Sequence, residues 1–262
     1  MFKAPDYFMD SMVNDNAINV LVIGAGGTGS AFLSKLAQLQ ATLTHLGAKG
    51  FNVVVADDDT VSQTNIGRQA FYPMDIGRSK AQTLVERFNN FTGTSWEYLT
   101  ERVTKQTSCL SKAHIIVTCV DNPQSRVEIG EYLADFQQLH TKLWLDGGND
   151  ANSGQVILGC YPSVREKEAR RLPSVYDLYA DSLKTAEYKE SDSCSHEEAL
   201  TRQEFGVNDQ IATQMIQILW QLIRHGQIKY HGVIIDLLAG EHQPLPINPL
   251  NWELMGFTEQ AV

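Results

Sequence analysis

The sequence predicts an α/β protein, a doubly wound and mostly parallel sheet with an antiparallel extension and a long crossover loop. Three observations predict it. Strand-like apolar runs alternate with helix-like segments through residues 1–150. A glycine-rich turn joins the first such strand to the first helix. A charged, turn-rich stretch at 162–195 is too long for a routine connection in a compact domain. The 262 residues therefore read as one domain, 1–262, with a nucleotide-binding core at 18–160, a mobile crossover loop at 162–195 and C-terminal helices and strands at 196–262.

"INVLVIG" (18–24) is a strand apolar on both faces, as a central parallel strand must be. Residues 30–45 follow as a helix whose Phe32, Leu33, Leu36, Leu39 and Leu43 share a side. "FNVVVAD" is the second strand, and 77–91 has helical spacing at Ala81, Leu84, Val85 and Phe88. "SWEYLTERV" predicts a third, more exposed strand; "HIIVTCVDN" (114–122) a fourth, ending in an acid and an amide; and 126–139 a helix. "KLWLDGG" and 154–161 predict a fifth strand and its hairpin partner. Beyond the crossover, Asn208 predicts an N-cap for a helix with Ile211, Met215, Ile218, Leu219 and Leu222 on one face and Gly226 at its end, and "GVIIDLL" a late strand.

Composition excludes several classes. Hydrophobic residues at 43% and charged residues at 20% are near globular averages, and no apolar run approaches a membrane span. A net charge of −10 argues against a nucleic-acid surface, which needs a local excess of Lys and Arg. The opening residues carry acids where a secretory signal needs an apolar core, so the expectation is a cytoplasmic protein with neither membrane nor nucleic acid as partner. The four cysteines form no C-x-x-C pair, which predicts neither zinc nor a disulfide scaffold. Cys119 reads as core, and Cys109 and Cys160 as structural residues near strand ends.

"GAGGTGS" places Gly24, Gly26, Gly27 and Gly29 between a strand and a helix, where backbone N–H groups and the helix dipole favour a phosphate. Together with the alternation, this makes the sheet Rossmann-like. Asp57 stands at the end of the second strand, the position that binds ribose hydroxyls. The loop after it carries Asn65, Arg68 and Gln69, and Lys80 lies near the start of the next helix. Arg and Lys suit charge building on an attacked α-phosphate and departing pyrophosphate, and an acid such as Asp121, at the end of the fourth strand, suits Mg²⁺. An NAD-linked oxidoreductase is permitted by the turn and Asp57 but gives Arg68, Lys80 and Asp121 no task. A non-catalytic nucleotide-binding scaffold would not need them either.

"GAGGTGS", "DDDTVSQTNIGRQAF", "DIGRSKA" and "TCVDN", in this order, resemble the ThiF and MoeB family, relatives of the ubiquitin-activating enzymes, and among them the ThiF-type proteins of the PRTRC system. The resemblance implies ATP- and Mg²⁺-dependent adenylation of the C-terminal glycine carboxylate of a small ubiquitin-like or sulfur-carrier protein. It implies that the four glycines form the nucleotide turn, that Asp57 binds ribose, that Asn65, Arg68 and Lys80 contact phosphates, that Gln69 supports their loop and that Asp121 holds Mg²⁺. Asp59 then lies on the cationic side and Asp58 faces solvent. A homodimer is left open, since residues 1–20 contain no arginine to reach a neighbouring site. Relatives that form a thioester carry a cysteine in the long loop, and Cys194, two residues before His196, occupies that place.

Overall fold

The structure, a computed structural model, describes residues 1–13, 16–135, 138–166, 170–186 and 203–258. In chain order the strands are β1 (Phe2–Lys3), β2 (Ile18–Ile23), β3 (Phe51–Ala56), β4 (Glu97–Leu99), β5 (Ile115–Thr118), β6 (Lys142–Asn149), β7 (Ser153–Tyr161), β8 (Gln227–Ile228), β9 (Tyr230–Asp236) and β10 (Glu241–Pro246). The helices are α1 (Asp6–Val13), α2 (Gly27–His45), α3 (Lys80–Thr92), α4 (Ser108–Lys112), α5 (Pro123–Asp135), α6 (Val175–Thr185), α7 (Val207–His225) and α8 (Pro249–Leu254).

The main sheet runs β10-β9-β7-β6-β5-β2-β3-β4. From β6 to β4 all neighbours are parallel; β6–β7, β7–β9 and β9–β10 are antiparallel. The fold is the doubly wound α/β sheet with an antiparallel extension that the alternation predicts. One edge is β4, three residues long; the other is β10, which contains Pro244 and Pro246. The chain leaves β2 toward β3 on one side and reaches β5 on the other, which makes the C-terminal ends of β2 and β5 the topological switch point.

Side-chain alternation divides the core between two faces. Val20 and Val22 join Phe32, Leu33 and Leu36 of α2 and Ile211, Met215, Ile218, Leu219 and Leu222 of α7. Leu21 and Ile23 turn to the face covered by Leu110 of α4, Ile129 and Leu133 of α5 and Val175 of α6. The periodic residues named from sequence on α2, α3 and α7 are all buried.

Several boundaries differ from expectation. Helix α2 begins at Gly27, three residues early, because its glycine-rich first turn is already helical. Helix α3 starts at Lys80, where the Ser79 side chain accepts from Gln82 N at 3.3 Å. The fourth strand ends at Thr118, and helix α5 occupies 123–135 after Asn122 Oδ1 accepts from Gln124 N. Cys109 lies in the short helix α4, which periodicity did not reveal. Asn208 does not cap α7: Gly206 does, in the left-handed region at φ +89°, and Asn208 is the helix's second residue.

The crossover is not continuous loop. Helix α6 forms within it because Ser174 and Asp177 make a reciprocal capping box, and Arg171 ties that box to β7. The Arg171 guanidinium lies 3.7 Å from the Tyr161 ring centroid and donates to the carbonyls of Cys160 and Leu172, both at 2.7 Å. At the other end of the chain order, Phe2 and Phe8 are buried, and β1 pairs antiparallel with β8.

Candidate nucleotide and phosphate site

The glycine turn leaves β2 at the switch point, and its glycines are needed for different reasons. Gly24 has φ +93°, and a Cβ there would sit 2.5 Å from Cys119 O. A Cβ on Gly29 would be 1.9 Å from Gly24 O, and one on Gly27 would be 2.6 Å from the Asn208 side chain. Gly26 is different: a Cβ would meet only Gln69 Nε2, at 4.0 Å. Packing explains three of the glycines, while the fourth leaves open space beside the start of α2, where helix N–H groups lack intrahelical acceptors.

Asp57 follows β3 and braces this turn. Its Oδ2 accepts from Ala25 N at 2.6 Å and its Oδ1 from Asp59 N at 2.9 Å. Burial raises the Asp57 pKa above the ordinary carboxylate value, with the Lys80 ammonium and the two N–H groups pulling it down and the Asp59 charge raising it. Lys80 is 5% exposed at the first residue of α3, where a helix dipole disfavours a cation. The compensation is acidic: Lys80 Nζ lies 2.8 Å from Asp59 Oδ2. Asp58 is exposed.

The loop that carries Arg68 is held to α2. Asn65 is buried and its Oδ1 accepts from Ser62 N at 2.9 Å, so this side chain closes its own 3-10 turn (Gln63–Asn65). Ala70 N donates to Ser30 Oγ at 3.1 Å. Arg68 Nη1 donates to Gln203 Oε1 at 2.9 Å, and the buried atoms Arg68 Nε and Gln69 Oε1 have no partner among the described residues. Burial lowers the Arg68 pKa, opposed by the negative charge of exposed Asp121. A cavity of about 530 Å³ opens beside the turn, lined among others by Gly27, Ser30, Lys35, Arg68, Gln69 and Asn208.

The structure thus brings together Asp57, Asp59 and Lys80 as one group, and Arg68, Gln69 and the glycine turn as another. Asp121, in the segment between β5 and α5, is near enough for its negative charge to raise the Arg68 pKa. Asp57, Lys80 and Asp121 do not line the cavity. Cys194 and His196 lie outside the described residues. Cys119 sits behind the turn, its thiol pKa raised by burial and by the Asp146 charge and lowered by Arg126.

Sequence reading missed the bond of Ser30 to Ala70, the contact of Asn208 with Thr28 and the Arg126–Asp146 pair, whose Nε and Oδ1 are 2.8 Å apart in the core. Asp146, the one acid of "KLWLDGG", carried the signal: a carboxylate directly after the apolar run Leu143–Leu145 in a central strand needs a partner.

Comparison with known proteins finds relatives and structures of like fold. The sulfur carrier protein ThiS adenylyltransferase of Escherichia coli (strain K12) is 32% identical over 114 residues, 42% of this chain and 42% of that protein. Ubiquitin-like modifier-activating enzyme 5 of Arabidopsis thaliana is 26% identical over 171 residues, 57% of this chain and 37% of that protein. The chain spans less than half the length of these relatives. Among solved structures, E. coli MccB with succinimide superposes with a TM-score of 0.61 at 14% identity, covering 92% of this chain and 66% of that one, a likeness of fold. The ThiF family description matches residues 6–246, and the chain belongs to the ThiF family.

Proposed function

We propose that this chain uses ATP and Mg²⁺ to adenylate the C-terminal glycine carboxylate of a small ubiquitin-like or sulfur-carrier protein. The observation that carries the reading is the convergence at the switch point: an unfilled glycine position, two buried polar atoms on Arg68 and Gln69 without partners among the described residues, and the acid-paired Lys80. Buried polar groups are normally satisfied, so unsatisfied ones beside a cavity support a ligand there. The names of the ThiS adenylyltransferase and modifier-activating relatives support the substrate class.

In this reading the first turn of α2 receives phosphate oxygens and Asp57 accepts from ribose hydroxyls. The substrate carboxylate attacks the α-phosphorus, the bond to the bridging oxygen breaks, and pyrophosphate leaves with the electron pair. Arg68 and Lys80 stabilise the charge that accumulates on the phosphoryl group and leaving group. Asn65 and Gln69 hold the loop that presents Arg68. Asp121 fits Mg²⁺, a hard cation that keeps most of its waters and takes few protein carboxylates, because it is exposed beside the cationic side of the crevice. When bound, the ion would neutralise triphosphate charge.

Cys194 remains our candidate for a later covalent step, in which its thiolate attacks the acyl adenylate and releases AMP as a thioester forms. Hydride transfer to a nicotinamide gives Arg68 and Lys80 no task. The test is ATP–pyrophosphate exchange with purified protein and a candidate ubiquitin-like partner. Partner-dependent exchange that requires Arg68 and Asp121 but not Cys194 supports adenylation. No exchange with a partner shown to bind overturns it in favour of a nucleotide-binding scaffold.

A further inference from the structure

Asp146 is fully buried in β6, yet its carboxylate is only half satisfied. Oδ1 accepts from Thr118 Oγ1 at 2.5 Å and from Arg126 Nε at 2.8 Å, while buried Oδ2 has no partner among the described residues. Thr118 Oγ1 also accepts from Trp144 Nε1 at 2.9 Å, which commits the hydroxyl proton to Asp146. Arg126 Nη2 reaches toward Gly147 O at 3.4 Å. Thr118 is the last residue of β5 and Arg126 the fourth residue of α5. One oxygen therefore draws in both ends of the short segment, residues 119–125, that carries Asp121.

Stability does not account for this arrangement. A buried ion pair contributes little relative to apolar residues of the same volume, because desolvation offsets the attraction. What the pair does provide is a fixed relation between a strand end and a helix start. We propose that Asp146 is a positioning residue: by gathering Thr118 and Arg126 onto Oδ1 it holds the β5–α5 loop, and with it Asp121, within electrostatic reach of Arg68. The effect on turnover rests on the adenylation reading, whereas the fixation of the loop does not.

The test compares wild type, Asp146→Asn, and the paired apolar replacement Arg126→Met with Asp146→Leu. Hydrogen exchange of amides 119–125 is read beside thermal stability and pyrophosphate exchange. The paired variant is expected to keep the wild-type melting temperature or exceed it, yet to exchange these amides about tenfold faster and to lose about 100-fold in pyrophosphate exchange, the scale of a small misplacement of a reacting group. Asp146→Asn, which keeps an acceptor at Oδ1, is expected to fall between the two. On an Asp121→Ala background, Asp146→Asn is expected to add less than about twofold, because it acts through the residue already removed. If the paired variant is as stable as wild type and loop protection and turnover are both retained, the proposal is overturned. If it does not fold, Asp146→Asn decides alone: unchanged loop exchange sinks the idea and faster exchange supports it. A wild type without pyrophosphate exchange would count against adenylation, while loop exchange would still report on Asp146.

Discussion

Thr28 Oγ1 donates to Asn208 Oδ1 at 2.9 Å, which joins the first turn of α2 to the first turn of α7 across 180 residues of sequence. The glycine turn is therefore seated on a helix from beyond the crossover, and its shape depends on that helix's position.

Gly27→Ala tests this seat. The added methyl would lie 2.6 Å from Asn208, so the substitution is expected to destabilise by about 1–3 kcal/mol, the range for overpacking. Asn208→Ala on the same chain should recover most of that loss. Urea denaturation of the two single variants and the double variant gives the coupling; strictly additive losses would mean that the two positions do not press on each other.

Nucleotide affinity should fall on acidification with a midpoint above the ordinary carboxylate value of 3.8, because the Asp57 pKa is raised, chiefly by burial. The stability term has the opposite sense. A raised folded pKa contributes stability that is complete below the unfolded value and lost as pH rises through the folded one. Lys80→Met removes the cation that opposes the shift and should move the binding midpoint higher. Titration of a fluorescent ATP analogue across pH checks both; an unmoved midpoint in the variant would separate Lys80 from Asp57.

His231 should confer acid sensitivity on the C-terminal segment. It is 1% exposed, with Nδ1 3.2 Å from Leu158 O and Nε2 accepting from Trp252 Nε1 at 3.0 Å, an arrangement that suits the neutral ring. Burial lowers its pKa to about 4 from 6.5, so its stabilisation is present above 6.5 and lost as pH falls toward 4. The full loss is about 3 kcal/mol. In a His231→Gln variant, the slope of unfolding free energy over that interval should flatten; an unchanged slope would assign acid sensitivity to other groups.

Arg171→Met should loosen the root of the crossover. The change removes the 2.6 Å contact with Asp177 and two carbonyl partners, a loss of about 2 kcal/mol. Limited proteolysis should then cut within 170–186 while β2, β3 and β5 stay protected. Cleavage no faster than in wild type would show that the ion pair is not what fixes α6.

Much of this was legible in the chain because parallel strands covered on both faces are mostly apolar, and β2, β3 and β5 are each apolar at all but one residue. The glycine turn and the cations after β3 were legible because their spacing is local. Helix α6 was obscured by the charged residues around it, although Ser174 and Asp177 form a capping box readable in the sequence. Asn208 was assigned to the wrong partner because a side chain that seats a turn from a distant helix has no signature at its own position. The same holds for Asp146: its burial was visible in the sequence, but its two donors come from elements brought together only by the fold.

Pro244 and Pro246 on the outermost strand bear on how any extended peptide can be received. A paired proline sits where its absent N–H would have pointed away from the neighbour, so both gaps fall on the outer margin of β10. The opposite margin, β4, offers only three residues. Recruitment by lengthening the sheet is thereby discouraged at both ends, as is edge-to-edge aggregation. A flexible tail bound for the crevice must be gripped by side chains and loop backbone along its path, and its specificity then resides in shape and charge instead of in ladder hydrogen bonds.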